Sequence, residues 1–219
     1  MSLLDYLLSG KKLKKAKKLT FDARQQEGEK ADLLFKQAYD SFSDVSESYS
    51  KYADALYYWG FALLHQAQTK PSDEAIKIFE EAINKFSFCK TIAPKHLGAM
   101  VDGGVALLGQ AKSKKVNLDD DLYIKAKESF ESAENIQNGS ASYNLACMYA
   151  LQNEGDACLK ALENARDHGL VPDEQDIIND DDLQNIKKLS WFAEYINSLE
   201  AKEEDEDEQK IVEIYESDD

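Results

Sequence analysis

Cysteine, proline and glycine are all scarce in this chain, at 3, 3 and 10 copies in 219 residues. Cys89, Cys147 and Cys158 are odd in number, which argues against a disulfide framework and for a reducing compartment. Few prolines and glycines, and no run in which β-branched residues alternate with polar ones, leave helix as the main element. No apolar stretch approaches the ~18 residues that a membrane span requires. At the start, the apolar residues of 1–8 precede the lysines, the reverse of a secretory signal. These absences point to the cytoplasm, with the nucleus open to it in a eukaryote.

Catalytic signatures are missing as well. His65, His96 and His168 stand apart, with no HExxH and no paired cysteines, so no metal site is expected. Neither a phosphate-cradling glycine loop nor a GxSxG or Cys–His pattern occurs, and the chain reads as no enzyme, without a cofactor. Asn117 to Glu128 has acids spaced somewhat like a calcium loop, but Leu122 stands where such a loop needs glycine. The formal charge of −16 repels phosphate backbones, which argues against nucleic acid. That charge is uneven: residues 1–18 carry +5, from six lysines and one aspartate, and residues 199–219 carry −9.

Apolar content of 43% is enough for a core, and its pattern is helical. Tyr143 to Ala165 reads as a complete helical hairpin. Tyr143, Ala146, Cys147 and Ala150 form one stripe, Cys158, Leu162 and Ala165 a second, and Asn153-Glu154-Gly155 the turn between them. Its second stripe recurs upstream as Ala31, Phe35, Ala38, then Ala75, Phe79, Ala82, then Ala126, Phe130, Ala133. First-helix partners precede two of these: Leu56, Trp59, Gly60 and Leu63, and Met100, Gly103, Gly104 and Leu107.

This pattern resembles the tetratricopeptide repeat, whose helix pairs carry a small pair on the first helix and an Ala-Phe-Ala stripe on the second. The resemblance covers roughly Asp22 to His168. It implies an all-α fold, a right-handed superhelix of antiparallel helix pairs. Stripe spacings of 44, 51 and 32 depart from the family period of about 34, and only the last repeat has standard length.

In chain order, residues 1–21 are a basic arm, with Lys11, Lys12, Lys14, Lys15, Lys17 and Lys18 behind an apolar cluster. Three readings stay open for it: a capping helix, an amphipathic arm for an anionic membrane surface or an acidic partner, and a nuclear-import signal. A single long helix is expected from Asp22 to Phe42, its repeat degenerate because Lys18 and Leu19 fall where the small pair belongs. Repeats fill 22–168. Gly98, Gly103, Gly104 and Gly109 weaken one of their helices by ~1 kcal/mol each, so close packing must compensate. Residues 169–198, with Leu183, Ile186, Leu189, Trp191, Phe192 and Ile196, read as capping helices. Residues 199–219 are an acidic tail holding the apolar island Ile211, Val212, Ile214 and Tyr215.

The resemblance further implies a concave face built from first-helix residues beside the packing stripe: Asp54, Tyr57, Phe61 and His65, then Val101, Val105 and Leu108, then Asn144, Met148 and Leu151. Family members that grip a C-terminal carboxylate use Lys and Asn at matching places, where this chain is mostly aromatic and aliphatic. The expected role is therefore a protein-binding scaffold, an adaptor or assembly chaperone that holds an apolar or helical segment of another protein. The alternative is a self-associating repeat protein whose groove is filled by its own or a neighbour's tail.

Overall fold

The computed structural model describes residues 3–45 and 49–199. Among them all regular structure is helical, with no strand. Residues 200–219, with the Ile211–Tyr215 island of the acidic tail, lie outside the described residues. The chain divides into two compact units, one ending at Gln137 and the other starting at Asn138.

Six helices build the first unit: α1 (Leu3–Arg24), α2 (Gly28–Ser43), α3 (Tyr52–Gln68), α4 (Ser72–Ile92), α5 (Leu97–Lys114) and α6 (Asp121–Ile136). Short turns join α1 to α2 and α3 to α4, which forces antiparallel pairs, and each helix packs on the next. The first helices of the pairs also touch one another, α1 against α3 and α3 against α5.

The single helix expected over Asp22 to Phe42 is two helices. Gly28 takes φ +58, a left-handed conformation that interrupts the helix at low cost only for glycine. The small residues of α1 also lie elsewhere than expected. Lys18 is exposed, and the buried positions are Ser9, Leu13, Ala16, Thr20 and Ala23. This row gives α1 a narrow seam against α2 that hydropathy alone does not show.

Local chemistry sets the helix ends. Pro71 precedes α4, and Asp73 and Glu74 in its first turn complement the helix dipole. The His96 imidazole caps α5 by accepting from the Ala99 N–H at 3.1 Å. Asp120 caps α6 by accepting from the Leu122 N–H at 2.9 Å, so the stretch that resembled a calcium loop is a helix start.

Aromatic rings in glycine gaps hold the unit together. A Cβ on Gly104 would lie 2.5 Å from the Phe130 ring, and one on Gly109 2.5 Å from Phe79. Phe86, which the stripes did not include, lies against both Gly60 and Gly103. The glycines that weaken α5 intrinsically are thus the places where rings approach its backbone most closely. Trp59 is only partly buried; its ring stacks near Tyr39 and Phe42 at 6.5 and 6.2 Å, tying the first hairpin to the second.

The second unit pairs α7 (Ser142–Leu151) with α8 (Gly155–Asp167), followed by α9 (Glu174–Asn179), a 3-10 turn (Asp181–Leu183) and α10 over 190–199. Asn153 at φ +59 makes the hairpin turn. Ala146, Cys147, Ala150, Cys158 and Leu162 form a core with Ile177, Leu183, Ile186, Phe192, Tyr195 and Ile196, which close the open side of the hairpin. Leu189 departs from that expectation, being 40% exposed.

Candidate partner-binding face

In the first unit, α3 and α5 lie side by side and share a face off the packing stripe. Asp54, Tyr57, Phe61 and His65 recur on α3 at steps of three and four residues, as Val101, Val105 and Leu108 do on α5. All are half-buried except Leu108, which at 7% exposure is a packing residue. In the second unit, Asn144 and Leu151 are half-buried on α7, while Met148 is 1% exposed and enclosed in the core. Leu108 and Met148 therefore cannot touch a partner without repacking, because their neighbours already enclose them.

Tyr57 is less free than its sequence position implied. Its ring lies 4.6 Å from the His96 ring and 6.1 Å from that of Phe86, and it fills the space over Gly98. Its hydroxyl donates to Asp102 Oδ2 at 2.9 Å. Burial raises the Tyr57 pKa far above the ordinary phenol range, and the neighbouring carboxylate adds to this. The residue both braces α3 against α5 and borders the face.

Asp102 is the functional candidate that the repeat pattern missed. Burial pushes its pKa up to about 6, while the Tyr57 hydrogen bond and the charge of Arg24 act the other way. A signal was present: between Leu97 and Gly109, Asp102 is the one charged residue. An ionisable group in an otherwise uncharged stretch of helix is costly to bury and so is a candidate for binding.

Around this carboxylate the face is aromatic and basic by turns. The Arg24 guanidinium, from the end of α1, lies 5.2 Å from the centre of the Phe61 ring, and the His65 ring meets Phe61 at 4.3 Å. Burial lowers the His65 pKa to about 4, with the charge of Arg24 contributing, so the imidazole is neutral at physiological pH. His96 Nε2 lies 3.9 Å from Asp54 Oδ1, too far for a hydrogen bond. The face thus offers two carboxylates, an aromatic platform and the valines of α5, a surface suited to an apolar side chain beside a cation.

Two other features read differently. A cavity of about 310 Å³ opens on another side of α5, between α4 and α6, and is lined by a mixture that includes Ile83, Lys90, Met100 and Lys125. In the second unit the donor atoms of Cys147, Asp180 and Asp182 lie within 4.8 Å of one another. Their bonds account for this clustering: Tyr143 Oη donates to Asp180 at 2.8 Å, the Cys147 thiol approaches the same oxygen at 3.6 Å, and the Asp182 N–H donates to its other oxygen at 2.8 Å. The group fastens the 3-10 turn to α7.

The model of a family described as plant specific mitochondrial import receptor subunit TOM20 matches residues 29–152, from the start of α2 to the end of α7. The chain belongs to this family. Comparison with curated proteins and with solved structures gives no match. The matched span contains both α3 and α5, and with them most of the candidate face. Membership corrects the cytoplasmic placement, because the family is one of mitochondrial import receptor subunits and the chain is therefore mitochondria-associated. Composition misled here, since an acidic helical chain can work at an organelle as well as in the cytoplasm. An import receptor binds proteins and transforms none, so this is a protein-binding chain and not an enzyme. Among the described residues no helix is long and apolar enough to cross a membrane.

Proposed function

We propose that this chain is a receptor subunit that holds a basic, amphipathic helical segment of proteins bound for mitochondria against the face shared by α3 and α5. Segments that direct proteins to mitochondria are amphipathic, rich in arginine and poor in acids. A helix of that kind needs a platform for its apolar side and carboxylates for its cations. Phe61, Val101 and Val105 supply the first, Asp54 and Asp102 the second. The formal charge of −16 adds long-range attraction for a cationic segment.

The observation that carries this reading is Asp102, a carboxylate set among aromatic and aliphatic side chains and fixed by the Tyr57 hydroxyl at 2.9 Å. A ligand guanidinium would stabilise its ionised form, the service that Arg24 now performs in part. The self-association alternative relies on the acidic tail, of which residues 200–219 lie outside the described residues, and no feature of the face favours it.

Fluorescence anisotropy of the full chain with a basic amphipathic peptide tests this reading, against a peptide of the same composition in scrambled order. The intact pattern should bind more tightly, and Asp102→Asn should weaken it by about tenfold through loss of a charged hydrogen bond. Equal affinity for both peptides, or an unaffected Asp102→Asn variant, would rule the reading out.

A further inference from the structure

The basic helix α1 has two sides. Leu13, Ala16, Thr20 and Ala23 are buried on one of them. Leu7, Lys11, Lys14, Lys18 and Phe21 recur on the opposite side at steps of four and three residues, and all five are exposed. Leu8 and Lys15 are exposed along one flank of this row, with the half-buried Asp22 at its end. Two of the six lysines turn to other work: Lys12 pairs with Asp44 at 3.3 Å, and Lys17 lies 3.7 Å above the Tyr58 ring. The row from Leu7 to Phe21 is straight and about 21 Å long at the rise of an α-helix.

Exposure of Leu7 at 53% and Phe21 at 62% on the outside of a helix that already has a packed side calls for a partner. The chemistry chooses among partners. A docking helix needs a continuous apolar stripe, and three lysines interrupt this one, with Lys15 on its flank. An acidic protein segment would answer the lysines yet leave Leu7, Leu8 and Phe21 in water. An anionic bilayer surface answers both, since lysine stems lie along the headgroup layer while the apolar ends enter it.

We propose that this outer face of α1 rests on the surface of an anionic bilayer. The inference does not depend on what α3 and α5 hold, because no residue of that face belongs to this row. Contact requires no rearrangement: α1 keeps its packing on α2 and α3 and uses only side chains already exposed. The local charge of +5 over residues 1–18 stands against −16 for the whole chain, so an anionic surface attracts this segment and repels the chain's net charge.

The test is co-flotation of the full chain with vesicles of neutral phosphatidylcholine, and with the same lipid carrying about 30% phosphatidylserine to supply a negative surface potential. Binding to the anionic vesicles alone is expected, falling as salt is raised from about 50 mM to about 300 mM. The triple variant Lys11→Glu, Lys14→Glu, Lys18→Glu should lose about a hundredfold, from roughly fivefold per lysine. The pair Leu7→Ser and Phe21→Ser should lose about tenfold by giving up apolar contact. All five positions are exposed, and circular dichroism checks that the helices persist. Equal binding to neutral vesicles, no binding to either, or a triple variant that binds like its parent would overturn the proposal. So would binding seen only after removal of residues 200–219, since the acidic tail would then be the occupant of this face.

Discussion

Phe130 and Phe61 are both phenylalanines at helical positions of the first unit, yet they stand in opposite surroundings. Phe130 on α6 is 0% exposed, with its ring against Gly104 and the small Ala126 and Ala133 one turn to either side. Phe61 on α3 is half-buried, and its ring is bordered by Arg24, His65 and Tyr57. Small neighbours that admit a ring mark packing. Charged and titratable neighbours around a ring mark a surface kept for something else, because a core has no use for groups that are costly to desolvate.

The comparison breaks first at Phe130. Phe130→Ala should cost about 3–5 kcal/mol, the range for removing a fully buried ring, read as a shift in chemical unfolding. A shift under about 1 kcal/mol would mean that the stripe does not form the core.

Asp102→Asn should act in the other direction. A carboxylate whose folded pKa is raised to about 6 binds its proton more tightly in the folded chain than in the unfolded one. Stability is therefore lost as pH rises through the window from about 4 to about 6 and stays lost at neutral pH. Replacing the group with a neutral amide should recover about 2–3 kcal/mol at pH 7, and the gain should vanish below about pH 4. His65 runs the opposite way, since a base held at about 4 loses stability as pH falls from its ordinary value near 6.5. The two offset each other in the parent, so the difference between variant and parent is the quantity to follow. Affinity for the basic peptide should also weaken as pH falls through about 6, where Asp102 takes up its proton.

Phe61→Ala sharpens the contrast with Phe130. Half-buried and at the edge, it should cost about 1 kcal/mol or less in stability while lowering peptide affinity by about tenfold, as a central aromatic anchor does. Tyr57 is a poorer probe, because its ring also props α3 against α5 and its loss mixes folding with binding. The smallest effect is expected at Arg24, where Arg24→Gln should tighten binding of a cationic peptide by about threefold by removing a competing charge near Asp102. A weaker complex would show that Arg24 itself contacts the ligand.

The stripes were legible because Ala31, Phe35 and Ala38, and their counterparts, combine size and spacing in a way that admits few other uses. The seam of α1 was not, since Ser9, Ala16 and Thr20 carry almost no apolar signal and owe their burial to the closeness of α2. Gly28 stands between Glu27 and Glu29 without a proline to mark the break, so hydropathy shows no helix boundary there. On the candidate face the structure leaves Phe61, Val101 and Val105 half-buried, but it encloses Leu108 and Met148, which the same periodicity names. A helix periodicity assigns a direction to a side chain without saying how deeply the neighbouring elements bury it. Asp102 escaped because the repeat pattern looks for small and bulky residues, whereas its meaning lies in being the one charge in the stretch from Leu97 to Gly109.

Chemical-shift mapping of the full chain with the basic amphipathic peptide tests most directly whether the α3–α5 face is the binding surface. Perturbations should gather on Phe61, Val101, Asp102 and Val105 and be lost in Asp102→Asn. Perturbations gathered instead on the exposed Phe88 and Ile92 of α4, or spread evenly without saturation, would contradict it.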